Sequence, residues 1–338
     1  VARTTLATGA YAPRIATQYH RAFKLAELPQ DLEPVSKILM DNGYYTSNRH
    51  KEDYNFEKRG EVWNDSSQEA SWKNRKPGQP FFHMESWGIT HEAALHFPPT
   101  DINGELPSVD KAQVKLPPIY PDTETFRYTH AFYLEQHQAL DQKLARVVEE
   151  LEKAGELEST FIFYFGDHGG VLPFSKGYLY ETGLNVPLVI RVPENYRHRV
   201  GSGLGDPGTT RVQGFVSFVD FAPSLLALAG LDIPSGYDGL PFLSPETSLS
   251  ELNERNTVLG YADRFDEKLD LVRSLRKGRY KYIRYYQPFY PDALYNDYRY
   301  KQAAYRELKS LHADGELHAA GARFFEGRPA EALYDVLD

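Results

Sequence analysis

Residues Thr160–Gly170 read TFIFYFGDHGG. An apolar β run, Thr160–Phe165, stops at Gly166 and delivers Asp167 and His168 onto a glycine-rich turn. In open α/β sheets, ligands bind beyond the carboxyl ends of the strands. Asp and imidazole are both ligands for divalent metals, and flanking glycines let the backbone approach an ion. Two adjacent ligands do not by themselves make a site, however. A loop Asp capping a helix beside a surface His reads equally well from the spacing.

Outward from this strand, the pattern alternates between helices and buried strands. Glu33–Asn42 has helical spacing and stops at Gly43. Thr46–Pro80 is polar and reads as loops and short helices, and Pro80–Trp87 as a buried strand. Asn103–Thr123 reads as an ordered surface loop. Phe126–Ala154 is a long amphipathic helix, with Phe132, Leu140, Leu144, Val147, Val148 and Leu151 at helical spacing. Val186–Val192 reads as a strand, Val212–Asp220 as strand-like, and Ala222–Ala229 as a helix ended by Gly230. The expected fold class is α/β: a large, mainly parallel sheet flanked by helices on both faces. Near Leu240 the pattern changes. Val258–Tyr261, Leu271–Leu275 and Tyr280–Tyr285 read as an antiparallel sheet, followed by a helix near Lys301–Leu311. The expected domains are therefore 1–240, the α/β part, and 241–338, a smaller C-terminal α+β subdomain.

The composition bounds the function. With 38 Lys and Arg against 47 Asp and Glu, the net charge is −9, which argues against nucleic acid as the main partner. A local basic cluster still suits an anionic substrate. There are no cysteines in the 338 residues, so disulfides and thiolate metal sites are excluded from them. No apolar stretch approaches the roughly 20 residues that span a bilayer. The 24 tyrosines suit sugar stacking as well as an ordinary core.

Further candidates lie at both ends of the chain. Lys176, shortly after the Asp-His turn, is placed to bind a substrate oxyanion, although a solvated lysine is the blander reading. Arg3 falls in the first turn of a short helix, where guanidinium and helix N-terminus favour anions. Arg49, His50, Lys51 and Asp53 sit between aromatics, as in a polar cleft or an ordinary surface. His91 follows a strand and suits general acid work, or is a satisfied loop histidine.

In order and spacing these pieces resemble the sulfatase family of the alkaline phosphatase superfamily, and within it bacterial carbohydrate sulfatases. The resemblance runs through Arg3, Leu6, Thr8-Gly9 and Tyr11, then Gly43-Tyr44-Tyr45-Thr46 with Lys51, then Thr90-His91-Glu92. It continues through Asp167-His168-Gly169 with Lys176, Tyr180–Pro187, Val216–Leu231, and Leu271–Arg284 with Ala332–Asp335. It implies a formylglycine nucleophile, made from Cys or Ser, and one divalent metal, Ca2+. It implies that Arg3 orients the nucleophile, that Lys51 and Lys176 hold sulfate oxygens, and that His91 protonates the leaving oxygen. Asp167 and His168 are then metal ligands, although His168 beside an oxygen-preferring cation also suits facing the sulfate alone.

The nucleophile is expected four residues before Arg3, upstream of Val1, together with paired acidic metal ligands. Asp53 stands where many family members carry a histidine, which leaves it as a base or as a sugar contact. Arg264 and Asp266 are expected to recognise a sugar, so the expected substrate is a sulfated polysaccharide or its oligosaccharides. The expected location is periplasmic or extracellular. Two alternatives stay open: a phosphodiesterase or phosphonate hydrolase on the same scaffold, and a noncatalytic binder of sulfated glycans.

Overall fold

The structure, a computed structural model, describes residues 1–206 and 208–337. In chain order its elements are helix α1 (Ala2–Thr8), α2 (Val35–Asp41), strands β1 (Tyr45–Arg49), β2 (Asp65–Ser66) and β3 (Phe81–Glu85), and helix α3 (Glu124–Lys153). Then come β4 (Ile162–Phe165), α4 (Glu181–Leu184), β5 (Leu188–Arg191), α5 (Phe221–Ala229) and α6 (Leu249–Glu254). The chain finishes with β6 (Thr257–Phe265), β7 (Lys268–Lys277), β8 (Tyr280–Tyr285), α7 (Ala303–Ala313), α8 (Ala319–Ala322) and β9 (Glu331–Asp335).

Strands β2-β1-β3 form a parallel sheet, β4 and β5 pair antiparallel, and β6-β7-β8-β9 form an antiparallel sheet. The mixed α/β class expected from the sequence is therefore present, but the parallel part holds three of the described strands. Strand β1 falls, from Thr46 onward, in the stretch read as loops and short helices. That reading fails because the buried middle of β1 is polar: Thr46, Ser47 and Asn48 are each fully buried. Partners compensate the burial. Asn64 Oδ1 accepts from Thr46 N at 2.8 Å, Ser47 Oγ meets His83 Nδ1 at 2.8 Å, and Asn48 Nδ2 donates to Ser66 Oγ at 3.0 Å. Val212–Asp220 is not a strand. It runs irregularly into a 3-10 turn, Phe218–Asp220, held by a reciprocal Ser217–Asp220 capping box that starts α5.

Helix α1 is buried from Thr4 to Thr8, and its Leu6 and Ala7 enter the core. Gly9 ends it in the left-handed region at φ 59°, where a Cβ would lie 2.6 Å from the Tyr237 ring. Thr5 Oγ1 meets Tyr261 Oη at 2.8 Å, which ties α1 to β6. Helix α3 starts at the Thr123 cap, whose side chain accepts from Phe126 N. It shares a core with helix α7: Phe126, Leu95 and Phe174 pack with Ala304, Tyr305 and Leu308. No described helix is long and apolar enough to cross a membrane.

Candidate functional site

The carboxyl end of β4, the first turn of α1, the loop after β1, the loop after β3 and the β6–β7 hairpin border one cleft of about 3060 Å³. Its walls include Arg3, Lys51, Asp53, His91, Asp167, His168, Lys176 and Arg264. Eight of the nine residues singled out from the sequence therefore face one space, although they come from segments up to 261 residues apart (Arg3 to Arg264). Asp266 is not among the lining residues.

The Asp167–His168 turn depends on a close backbone approach. Gly169 N donates to Gly183 O at 2.9 Å, and a Cβ on Gly169 would lie 1.9 Å from Thr182 O. No side chain larger than hydrogen fits there without moving the backbone. The Nδ1–H of His168 is placed to donate to Gly169 O, 2.7 Å away. Its Nε2 is then a bare acceptor, 3.5 Å from Asp167 Oδ1. Two acceptors face each other, an arrangement that calls for a positive charge between them. Burial holds the His168 imidazole below its ordinary range and so favours the neutral, ligating form. Burial pushes the Asp167 carboxyl up, but His168, Arg3, Lys176 and Lys51 together outweigh it and bring it below the usual range.

This pair fits one side of a cation site. It does not fit a whole one, because a calcium ion takes six to eight oxygen ligands. Among the described residues, no group of three or more acidic, histidine or cysteine side chains could hold a metal ion.

Cations surround the turn. Arg3 Nη2 lies 3.9 Å from Asp167 Oδ2, while its Nη1 donates to Lys51 O at 3.1 Å. One guanidinium thus ties helix α1, the Lys51 loop and the β4 turn together. Lys51 Nζ lies 3.4 Å from Asp53 Oδ2. Asp53 itself sits in the left-handed region at φ 45°. Lys176 is held from behind. Its Nζ is 3.2 Å from Glu92 Oε2, its amide donates to Gly170 O at 2.9 Å, and its carbonyl accepts from Arg299 Nη2.

His91 caps the short turn after β3 by accepting from Ala93 N at its Nδ1, 3.2 Å away. The neutral ring therefore carries its proton on Nε2. Burial, then the charges of Lys176 and Lys51, lower its pKa, and Glu92 opposes them.

The sequence reading missed three residues that the structure makes important. Glu92 is fully buried and also faces Arg299 Nε at 3.5 Å. Its only signal was its position beside His91. Arg299, 2% exposed, lies in a tyrosine-rich stretch with no motif at all. His20 lines the cleft from an irregular loop.

Comparison with known proteins bears on the family and the fold. The family model described as Sulfatase matches residues 44–231. The model described as N-sulphoglucosamine sulphohydrolase, C-terminal, matches residues 166–319. An ulvan-active sulfatase from Formosa agariphila is 30% identical over 98% of this chain, and the match spans 61% of that protein's length. Among solved structures, a 2-O GAG sulfatase superposes with TM-score 0.58 at 16% identity, covering 84% of this chain and 72% of the other. A phosphonate monoester hydrolase from Silicibacter pomeroyi superposes with TM-score 0.61 at 17% identity, covering 84% and 77%. At such identities the two structures speak for the fold alone. With more than half of its length matched by the family model, the chain belongs to the sulfatase family.

Proposed function

We propose that this protein hydrolyses sulfate esters of a carbohydrate, a sulfated polysaccharide or its oligosaccharides. The observation that carries this reading is the convergence of Arg3, Lys51, His91 and Lys176 on the Asp167–His168 turn within one cleft. Residues 1–240 carry all of these groups, and 241–338 add the Arg264 wall and the buried Arg299 anchor. The nucleophile in this reading is a formylglycine made from a Cys or Ser four residues before Arg3, upstream of Val1. β3 pairs only with β1 and β4 only with β5 among the described residues, and both line the cleft with half-buried apolar side chains such as Phe82, Met84, Phe163 and Phe165.

The formylglycine would supply the attacking oxygen and a divalent cation, calcium, would polarise the sulfate. Asp167 and His168 are this chain's share of the cation's donors. Arg3 orients the start of α1 against Asp167. Lys51 and Lys176 offer point charges to sulfate oxygens. His91 holds a proton at Nε2, aimed at the leaving oxygen. Asp53, Arg264 and Asp266 belong to the sugar side, and export to the periplasm or beyond goes with a polysaccharide substrate.

The test uses full-length protein matured with a formylglycine-generating enzyme. Inorganic sulfate release is measured from sulfated algal and glycosaminoglycan oligosaccharides and from 4-nitrophenyl sulfate, and, in parallel, 4-nitrophenol release from a 4-nitrophenyl phosphonate monoester. Sulfate release that is lost in K176A and H91A is the expected result. Turnover of the phosphonate alone, or binding of sulfated glycans without turnover, would overturn the proposal.

A further inference from the structure

Arg264 and Asp266 read from the sequence as sugar contacts, but the structure engages both elsewhere. Arg264 Nη2 donates to the carbonyls of His20 at 2.8 Å and Arg21 at 2.5 Å, and its Nε is buried. Asp266 Oδ1 lies 3.0 Å from His20 Nδ1, and Asp266 does not line the cleft, whereas His20 does. The backbone closes the same clamp, because His20 N donates to Arg264 O at 3.1 Å. The imidazole also stacks on Phe265, centroids 4.6 Å apart and planes 13° from parallel. Phe265 in turn lies under the Lys176 ammonium at 5.4 Å. The loop and the hairpin each pass through a left-handed residue where they meet, Arg21 at φ 52° and Asp266 at φ 51°. Such conformations persist only where the surroundings over-determine them.

From this geometry we infer that His20 is a sugar-binding residue of the cleft, and that Asp266 and Arg264 are positioning residues that hold it. The inference rests on the sulfatase reading above. A carboxylate can only accept, so Asp266 fixes the proton of His20 on Nδ1. Burial lowers the pKa of His20 while Asp266 opposes it, so the neutral ring is favoured near neutral pH. Its Nε2 is then a lone-pair acceptor with no protein partner among the described residues. An acceptor cannot bind a sulfate oxygen, which also only accepts. It can receive a hydrogen bond from a sugar hydroxyl. The donors Lys51 and Lys176 thus suit the sulfate, and His20 suits the hydroxyl-bearing ring that carries it. Recognition of the ester and of its alcohol is divided between separate groups, one wall apart.

The test compares H20A, H20Q, D266A and H20A/D266A on a sulfated oligosaccharide and on 4-nitrophenyl sulfate, whose ring has no hydroxyl. H20A is expected to raise KM for the oligosaccharide about tenfold, the scale of one lost hydrogen bond with its partner left unpaired. Its kcat is expected to move much less, and its loss on the aryl ester to be several-fold smaller. H20Q, whose amide oxygen restores an acceptor, recovers part of the KM. D266A resembles H20A and adds little in the H20A background, because both act through one ring. Equal losses on both substrates, an unchanged oligosaccharide KM, or additive losses in the double variant would overturn the inference while leaving the sulfatase reading intact. Wild-type protein that releases sulfate from neither substrate would overturn both.

Discussion

Replacing Glu92 by Gln tests how the cleft holds its lysine. Glu92 is fully buried, with Oε2 3.2 Å from Lys176 Nζ and Oε1 3.5 Å from Arg299 Nε. Gln302 Nε2 donates to the same Oε1 at 3.2 Å. At an effective dielectric constant of ~20, each charge pair attracts by about 5 kcal/mol. Most of that offsets the cost of removing three charges from water. Breaking such a buried pair on one side typically costs about 3–5 kcal/mol. For a chain of 338 residues the unfolding entropy is about 0.7 kcal/mol per kelvin, so Tm should fall by about 4–7 °C. The activity should fall too, because Lys176 loses the group that fixes its ammonium. Glu92 raises the pKa of His91, so any His91 limb in the pH–rate profile should move to lower pH in E92Q. Calorimetry and a kcat/KM profile from pH 5 to 9 measure both effects, and K176A/E92Q completes a cycle. A Tm within 1 °C of wild type, with additive losses of activity in the double variant, would refute the account of Glu92 as the anchor of Lys176.

Two other expectations concern stability. Arg328, with its side chain 5% exposed, donates to Asp270 Oδ2 at 2.6 Å and Asp292 Oδ1 at 3.2 Å. R328M takes the guanidinium from two buried carboxylates, leaving Asp270 to Lys268 at 4.0 Å and Asp292 to the Tyr180 hydroxyl at 2.7 Å, and should cost about 3 kcal/mol, read as the midpoint shift in urea unfolding; a change below 1 kcal/mol would contradict it. Burial is the leading cause that lowers the pKa of His20, His83, His91, His96, His130 and His168. Between their folded values and the ordinary 6.5, the unfolded chain binds more protons, so stability is present above that window and is lost as pH falls through it. Tm should therefore drop steadily from pH 7.5 to 5.5, and a flat or rising profile would show that these rings titrate alike in both states.

How much of this was legible in the chain depends on how each residue does its work. The β4 turn was readable because an apolar run, a glycine break and two metal-type side chains occur within eleven residues. Helices α3 and α5 were readable because their apolar spacing is unbroken. Strand β1 was not, since its buried positions are Thr46, Ser47 and Asn48, whose stability comes from partners on β2, on β3 and at Asn64 just before β2. Glu92 and Arg299 escaped for a related reason. A buried ion pair between residues 207 positions apart leaves no periodicity, and each member alone looks like a surface charge.

The same reasoning separates the residues that face the cleft from those behind it. Arg3, Lys51, His91 and Lys176 could be named from motif order, but their chemistry depends on which atoms remain free. His91 spends Nδ1 on Ala93 N and keeps Nε2–H, while His20 spends Nδ1 on Asp266 and keeps a bare Nε2. The two histidines border one cleft with opposite hydrogen-bonding character, a donor suited to the ester and an acceptor suited to the alcohol. Neither character follows from residue type. Both follow from the partner on the far nitrogen, a main-chain N–H in one case and a carboxylate in the other. Selectivity for a sulfated sugar over a sulfated phenol would then reside in Asp266, a residue that does not line the cleft.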